Sequence, residues 1–346
     1  MKSLFLKPFS YLYRVVIAVR NHFYDVGIFR IRKLPMPVIS VGNITAGGSG
    51  KTPLVRFLCE KLTGKGFVPA VLSRGYKRKD KTNIIFRSSD ETNLTVDRIG
   101  DEPYMLSQQL NDTIFGISPD RYKAGIEVLK KYKPDLFILD DGFQHRKLYR
   151  DINIVIIDGS NILPYRDCLP AGMLREPLKN LKRADIIIIK DENEGDNKYM
   201  RRIYSYIPPQ AIVFKIKTVP SKLVDYNSGE EKSLDSLRGK SAVSFCGLGN
   251  NENFQNMLIE SGVKLLSSFV YRDHHDYLQE DIDKMKAALK TCNGELAVTT
   301  MKDMVKLKKF KIDFPLYYLD IDYEFNCDEQ AVLISLITGK LNRTAI

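Results

Sequence analysis

A glycine-rich segment, "VGNITAGGSGKT" at residues 41–52, comes close to the pattern of a phosphate-binding loop. The Walker A pattern is a glycine, four further residues, Gly-Lys, and then serine or threonine. Gly50, Lys51 and Thr52 match its end, whereas Thr45 stands where the opening glycine is expected. In such a loop the backbone N–H groups surround the phosphates, the lysine bridges the β- and γ-phosphates, and the hydroxyl holds Mg²⁺. The predicted nucleotide-binding residues are Thr45, Ala46, Gly47, Gly48, Ser49, Gly50, Lys51 and Thr52.

Two adjacent acidic residues end a later apolar run, "LFILDDGFQH". Asp140 and Asp141 precede a glycine, as expected where a buried strand ends in a turn. Carboxylate oxygens are preferred ligands of Mg²⁺, directly or through water. An aspartate at a strand end is a weak signal by itself, but together with the phosphate loop it predicts a metal site. The sequence leaves open which of the two contacts the ion directly.

Phosphoryl transfer to an alcohol also needs a group that accepts the hydroxyl proton. In "RIGDEPYML", Asp101 and Glu102 follow Gly100 and precede a proline that favours the start of a helix. A carboxylate at that position is either a helix N-cap or a base directed into a cleft, and the residue types do not decide between the two.

A pair of histidines offers a second titratable group near carboxylates. The segment "YRDHHDY" places His274 and His275 between Asp273 and Asp276. The cluster could bind a metal, one histidine could pair with a carboxylate across the cleft, or both could be solvated loop residues. In other loops, Arg121 of "SPDRYKAG" and Arg175 of "LPAGMLREP" could each neutralise phosphate.

The elements that would position these groups follow the order strand, glycine loop, helix, strand. "PMPVISVGN" predicts a buried strand, "TPLVRFLCEKLTGKG" a helix that ends at its glycines, and "FVPAVLSRGY" a second strand. The runs "DLFILDD", "INIVIID" and "ADIIIIK" predict further buried parallel strands. The phosphate loop would then lie at the carboxyl ends of the strands, where open α/β sheets bind ligands.

A second α/β series begins near Lys240, with "SAVSFCGLGN", "VKLLSSFVY", "ELAVTTMKD" and "PLYYLDI". Between the two series, residues 210–236 contain more alternating runs and a turn, which predicts a linking β-ribbon. We therefore expect a P-loop domain at residues 1–209, a two-stranded linker at 210–236 and a smaller α/β domain at 237–346.

Residues 1 to about 24 predict a helix with one apolar stripe, formed by Phe5, Phe9, Leu12, Val16, Val19 and Phe23. Residues 1–33 carry seven lysines and arginines against Asp25, which is over half of the net charge of +11. The longest uncharged apolar run, Val15 to Val19, is too short to cross a bilayer. Such a helix could lie in the headgroup region of an anionic membrane, or its stripe could pack on the core of the domain.

The remaining composition restricts the class of protein. Five scattered cysteines without C-x-x-C spacing predict reduced thiols in a cytosolic compartment. The basic residues cluster at the N-terminus and no nucleic-acid-binding module is recognisable, so we expect no nucleic-acid partner.

Together, these motifs resemble the tetraacyldisaccharide 4′-kinase family, the lipid A 4′-kinases of lipopolysaccharide synthesis. The matching stretches follow the order of the family's motifs: "LPMPVISVGNITAGGSGKTPLV", "VLSRGYKRK", "GDEPYML", "PDRYKAG", "LDDGFQHRKLYRDINIVIID", "LPAGMLREP", "DHHDY" and "TTMKDMVKL". The resemblance implies two α/β/α domains joined by a two-stranded linker, with the active site between them. It also implies transfer of the γ-phosphate of ATP, with Mg²⁺, to the 4′-hydroxyl of a tetraacylated glucosamine disaccharide 1-phosphate. The family's loop also lacks the opening glycine.

Residue roles follow from the matching motifs. The resemblance implies that Lys51 and Thr52 hold phosphates and Mg²⁺, and that Asp101 is the catalytic base with His274 as its partner. It implies a metal set of Thr52, Asp140, Asp141 and Glu176, and substrate or phosphate contacts from Arg74, Arg121, His145 and Arg175. It also implies that the N-terminal helix binds the cytoplasmic face of the inner membrane.

Two alternatives from other classes fit the motifs less well. A membrane-surface ATPase of the deviant Walker A class shares several of the loop glycines, but Ala46 occupies the place of its signature lysine. A GTPase would read guanine with [NT]-K-x-D, whereas Lys302 and Asp303 in "TTMKD" have no spacer.

Overall fold

The computed structural model describes residues 2–90, 93–161, 165–192, 197–247, 251–272, 275–326 and 328–344. In this part of the chain, strands from both halves of the sequence join one mixed sheet. The prediction of a mixed α/β fold with a P-loop-type parallel sheet is confirmed.

The first half of the sheet is a parallel block with one antiparallel edge strand. Its strands are β1 (Val38–Gly42), β2 (Pro69–Ser73), β3 (Ile84–Arg87), β4 (Ile114–Ile117), β5 (Leu136–Asp140), β6 (Ile152–Asp158) and β7 (Ile186–Lys190), in the spatial order β3-β4-β2-β5-β1-β6-β7. Its helices are α1 (Lys2–Asp25), α2 (Lys51–Thr63), α3 (Val96–Ile99), α4 (Asp101–Gln109), α5 (Arg121–Lys131) and α6 (Lys198–Tyr204), with a 3₁₀ helix at Leu178–Arg183. Runs such as "INIVIID" are buried at every residue, which is why they lack the alternation of a half-exposed strand.

The second half contains a smaller parallel block. Its strands are β10 (Ser241–Cys246), β11 (Lys264–Val270), β12 (Leu296–Thr300) and β13 (Leu316–Phe325), and its helices are α7 (Asn251–Glu260), α8 (Gln279–Thr291), α9 (Met301–Leu307) and α10 (Glu329–Thr344). Between the blocks lie the long strand β8 (Ile212–Asp225), the short strand β9 (Glu231–Lys232) and a 3₁₀ helix at Leu234–Leu237.

The two blocks are joined through β8. Its first residues pair in parallel with β7, and the stretch from Ile216 onward pairs antiparallel with β13. Ile216 is opposite both Lys190, the last residue of β7, and Phe325, the last residue of β13. The carboxyl ends of the two blocks therefore meet, and that is where ligands bind in open α/β sheets.

The sequence predicted the linking ribbon within residues 210–236. Strand β8 lies in that range, but its long partner is β13, some ninety residues later in the chain, while β9 pairs with β8 over only two positions. The domain boundaries at 209 and 236 stay predictions, because the sheet runs continuously past both.

Helix α1 turns its apolar stripe away from the core. Phe5 is 80% exposed and Phe9 and Leu12 are each 62% exposed, whereas Ile17 and Tyr24 are buried on the opposite face. The alternative that the stripe packs on the domain core is therefore wrong. Among the described residues, no helix combines the length and apolarity that a bilayer span requires.

Candidate active site

The phosphate loop follows β1 and ends where α2 begins at Lys51. Gly47 and Gly50 have φ values of +105° and +86°, a region that residues other than glycine rarely adopt. Thr45 is not among the residues with positive φ, so the loop starts with a backbone that threonine accepts. The side chain of Thr45 is buried, and its Oγ1 accepts a hydrogen bond of 3.2 Å from Asn43.

A second loop, residues 168–176, is joined to the phosphate loop by two backbone hydrogen bonds. The N–H of Ala46 donates to the carbonyl of Met173 at 2.7 Å, and the N–H of Arg175 donates to the carbonyl of Ile44 at 2.8 Å. This second loop contains the predicted site residues Arg175 and Glu176, so the backbone pairing sets their position relative to the phosphate loop.

Lys51, Asp141 and Arg175 form one charged group beside the loop. The Lys51 Nζ lies 3.6 Å from Asp141 Oδ1, and Arg175 donates to both Asp141 oxygens at 2.9 and 2.8 Å. Burial opposes ionisation of Asp141, but Lys51 and Arg175 outweigh it and lower the pKa of its carboxyl. Asp141 is therefore a carboxylate with two cations, directly after the last residue of β5, and its role as a metal ligand stays a prediction.

Asp140 has the opposite electrostatic environment. Its side chain is almost fully buried, and burial together with the charges of Glu102 and Asp141 raises its pKa to about 7. Oδ2 accepts a hydrogen bond from Ser73 at 3.2 Å, while Oδ1 is buried with no hydrogen-bond partner among the described residues. A buried carboxylate oxygen without a donor is costly unless a cation binds it, so the donor set suits a divalent oxygen-preferring ion.

Asp101 lines a cavity next to the phosphate loop. It is the first residue of α4, and the N-cap position belongs to Gly100, which makes no side-chain cap. The cap alternative for Asp101 is therefore wrong. Asp101 and Glu102 both line the cavity next to Lys51 and Thr52.

His274 and Asp273 lie outside the described residues, so the proposed partnership of His274 with Asp101 stays a prediction. His275 is held locally: its Nε2 is 2.9 Å from Asp281 Oδ2, and its ring stacks on Tyr271 at 4.4 Å between centroids. Asp276 pairs with Lys309 at 2.7 Å. Among the described residues, no group of three or more His, Cys, Asp or Glu side chains could hold a metal without other donors.

The other predicted substrate or phosphate contacts are Arg74, Arg121 and His145, and the charge of Arg121 acts on Asp141. Arg121 is buried; burial and the nearby Arg74 lower its pKa to about 10, and its Nε has no hydrogen-bond partner among the described residues. Burial and the charge of Arg121 lower the pKa of His145 to about 3, which keeps the imidazole neutral. Arg74 is exposed just after β2. Arg74, Arg121, His145 and Arg175 lie outside the lining of the main cavity, so their substrate roles stay predictions.

Glu176 is placed differently from the other predicted metal ligands. Its fully buried Oε2 accepts hydrogen bonds from Asn21 of α1 at 2.8 Å, Asn180 at 2.7 Å and Arg183 at 2.9 Å. Tyr13 of α1 donates to the carbonyl of Arg175 at 2.9 Å. These contacts attach α1 to the 168–176 loop. Glu176 Oε1, like Asp140 Oδ1, is buried with no hydrogen-bond partner among the described residues. Asp140, Asp141 and Glu176 are all absent from the lining of the cavity, which includes only Thr52 of the predicted metal ligands.

The cavity itself has a volume of about 400 Å³ and takes its lining from both blocks. The sequence did not single out several of its residues: Arg56, Asp158, Lys190, Asp191, Asn253 and Tyr323. Lys190 and Asp191 stand at the end of β7 as Asp140 and Asp141 stand at the end of β5, so the rule of polar residues at strand ends could have found them. No local signal identifies Tyr323 or Arg56.

Comparison with known proteins identifies the family. A family model described as tetraacyldisaccharide-1-P 4′-kinase matches residues 2–342. The chain belongs to this family. A tetraacyldisaccharide 4′-kinase from Aquifex aeolicus is 38% identical over 313 residues, which cover 90% of this chain and 92% of that protein. One from Bdellovibrio bacteriovorus is 34% identical over 305 residues, covering 88% and 89%.

Structural comparison agrees with the assignment to the tetraacyldisaccharide 4′-kinases. A crystal structure described as the "apo" form of LpxK from Aquifex aeolicus in complex with ATP matches with a TM-score of 0.77 at 35% identity. The match covers 99% of this chain and 100% of that one. The predicted family and enzyme class are confirmed, and the deviant Walker A alternative is not supported.

The GTPase alternative also fails on geometry. Lys302 lines the cavity, but Asp303 is fully buried beside it. The Asp303 Oδ2 accepts hydrogen bonds from the N–H of Gly247 at 2.9 Å and from Thr300 at 2.8 Å. A carboxylate engaged in this way is not directed at a base in the cavity.

Proposed function

We propose that this chain transfers the γ-phosphate of ATP to the 4′-hydroxyl of a tetraacylated glucosamine disaccharide 1-phosphate. The observation that carries the proposal is that one cavity contains the phosphate-loop Lys51 and Thr52 together with the carboxylate Asp101. Family membership supports this substrate class. The cavity lies where the carboxyl ends of both blocks meet, so an acceptor can enter opposite the nucleotide.

Each group has one task in the transfer. Asp101 accepts the proton of the 4′-hydroxyl. At the same time, the hydroxyl oxygen forms a bond to the γ-phosphorus, and the bond from that phosphorus to the bridging oxygen of ADP breaks. Lys51 neutralises charge on the transferred phosphoryl group, and Arg175 holds Asp141 in place. Thr52, Asp140 and Asp141 are the residues that would hold Mg²⁺, which when bound neutralises charge on the phosphates.

A transfer assay with γ-labelled ATP tests this proposal. We expect label to appear in the lipid fraction only when the tetraacyldisaccharide 1-phosphate is present. Hydrolysis of ATP stimulated equally by vesicles without that acceptor would instead support the ATPase alternative.

We further propose that α1 docks on the anionic cytoplasmic face of the inner membrane. Its exposed face is apolar, and its buried face makes polar contacts, since the Ser10 hydroxyl donates to the carbonyl of Cys168 and accepts from the N–H of Ala171, both at 2.8 Å. The apolar stripe is thus left for an environment other than the domain, while Lys7 and Arg14 can meet anionic headgroups.

Replacing Phe9 and Leu12 together by serine should weaken binding to anionic vesicles by about 100-fold. Each exposed side chain would lose about 1.5 kcal/mol or more of burial in lipid, and about 1.4 kcal/mol corresponds to a factor of ten. Sedimentation with phosphatidylglycerol-containing vesicles measures the change. The matched control is Val332→Ser, an exposed apolar residue of α10; equal vesicle binding by the double variant and the control would refute the docking role.

The structure also permits a test of the predicted metal role of Glu176. Glu176→Gln should lower the free energy of unfolding by about 3 kcal/mol, because it leaves Arg183 buried without its counter-charge. Thermal unfolding measures the loss, and the Mg²⁺ concentration for half-maximal activity should stay unchanged. A normal melting temperature with a raised Mg²⁺ requirement would instead establish Glu176 as a metal ligand.

A further inference from the structure

Tyr323 is a buried residue of β13 that reaches the phosphate loop from the second parallel block. Its hydroxyl donates a hydrogen bond of 2.7 Å to the carbonyl of Gly50. The approach is close enough that a Cβ on Gly50 would meet the Tyr323 hydroxyl at 2.1 Å. Any side chain at position 50 would therefore clash with Tyr323, so this contact requires glycine there.

We propose that Tyr323 is a positioning residue for phosphoryl transfer, which orients the peptide bond between Gly50 and Lys51 so that its N–H points into the phosphate site. This inference rests on the proposed assignment of residues 45–52 as the phosphate loop.

The geometry of the peptide bond between Gly50 and Lys51 connects the tyrosine to the phosphate site. A trans peptide is planar, and its C=O and N–H point to opposite sides. Holding the Gly50 carbonyl on the side of Tyr323 therefore directs the Lys51 N–H to the other side. That N–H belongs to the first turn of α2, whose donors have no acceptor within the helix and are free to bind an anion.

Among the described residues two groups donate to this carbonyl, and the hydroxyl is the closer one. The helical N–H of Leu54 also points at Gly50, but at 3.3 Å, whereas the tyrosine is at 2.7 Å. Gly50 has φ +86°, and glycine has little intrinsic preference that would hold such a peptide in one orientation. The contact from β13 therefore adds a second, shorter hydrogen bond to the one that the helix itself makes with this carbonyl.

The surroundings keep the tyrosine in the donor form and in place. Burial, and then the negative charges of Asp191 and Asp158, raise the pKa of Tyr323 well above its usual value. Tyr323 is opposite Thr218 in the β8–β13 pairing, and Thr218 donates to Asp191 through its N–H at 2.6 Å and its hydroxyl at 2.7 Å. The antiparallel pairing of β8 with β13 thus holds the Tyr323 ring in place, and the Tyr323 hydroxyl in turn holds the Gly50 carbonyl.

Tyr323→Phe removes only the hydroxyl and is the direct test. We expect the KM for ATP and the Kd for ADP to rise about threefold to tenfold, as for the loss of one hydrogen bond. The KM for the lipid acceptor should stay within about twofold of wild type, because the hydroxyl acts on the nucleotide side. Steady-state kinetics with each substrate varied, and calorimetry with ADP, give these values.

Tyr318→Phe is the matched control, since Tyr318 is a half-buried tyrosine of the same strand outside the cavity lining. It should leave both KM values unchanged. The inference is overturned if Tyr323→Phe binds ADP as wild type does, if Tyr318→Phe shows the same loss, or if the acceptor KM rises in parallel. Measuring Lys51→Ala in the same experiments distinguishes failure of the Tyr323 proposal from failure of the phosphate-loop assignment on which it rests. Normal nucleotide binding by Lys51→Ala would refute the phosphate-loop assignment itself.

Discussion

Lys51→Ala is expected to reduce kcat by at least about 10³-fold, the scale of losing a cation that stabilises a transferred phosphoryl group. Lys51 is buried at the start of α2, with its Nζ next to Asp141 and the cavity. No other described residue supplies a cation from the phosphate-loop helix at this position, since Arg56 is held by Asp320 at 2.8 Å. The transfer assay with labelled ATP measures the loss.

The fold should tolerate this substitution. Asp141 keeps both hydrogen bonds from Arg175, so the carboxylate is not left buried and unpaired. We therefore expect a melting temperature close to wild type. Lys65→Ala, at an exposed lysine just after α2, is the control and should retain full activity. Substantial transfer by Lys51→Ala would refute the assignment of this segment as the phosphate loop.

Asp101→Asn is expected to lower kcat by about 10²–10⁴-fold, the range for removal of a general base. The amide keeps the size of the side chain but cannot accept the hydroxyl proton. The KM for ATP should change little, because the phosphate-loop contacts remain. Single-turnover transfer, which isolates the chemical step, is the measurement of choice.

Two comparisons separate a base from a residue that only supports α4. Loss of an acidic side chain from the first turn of a helix costs about 0.3–1 kcal/mol of stability and has no direct effect on chemistry. Asp97→Asn, at an exposed aspartate of α3 paired with Lys79, should be active. Equal kcat values for Asp101→Asn and Asp97→Asn at saturating substrate would contradict the catalytic role.

The contiguous motifs were predictable because their geometry is local. A strand, a glycine loop and a helix in direct succession place the phosphate loop at a strand end whatever the rest of the chain does. The same rule placed Asp140 and Asp141 beside Lys51, and the salt bridge to Asp141 is there. Burial at every position of the parallel strands likewise follows from uninterrupted apolar runs.

Other features depend on pairings between distant parts of the chain. The register of β8 against β13 brings Tyr323 to Gly50, across 273 residues of sequence. The same strand brings Asp320 to Arg56 of α2, a buried ion pair with no signal in either local sequence. Glu176 had a predicted metal role from its motif, whereas its neighbours in the structure come from α1 and the 3₁₀ helix.

Sequence alone therefore identified the family and the N-terminal helix with its apolar stripe, and it predicted the phosphate loop and the paired aspartates. Only the tertiary structure decided which face of that helix is exposed, where Glu176 points, and that a tyrosine of β13 contacts the loop. The physical reason is that periodicity fixes which residues share a face, but not what that face meets. Contacts between strands far apart in the chain depend on register, which no single segment encodes.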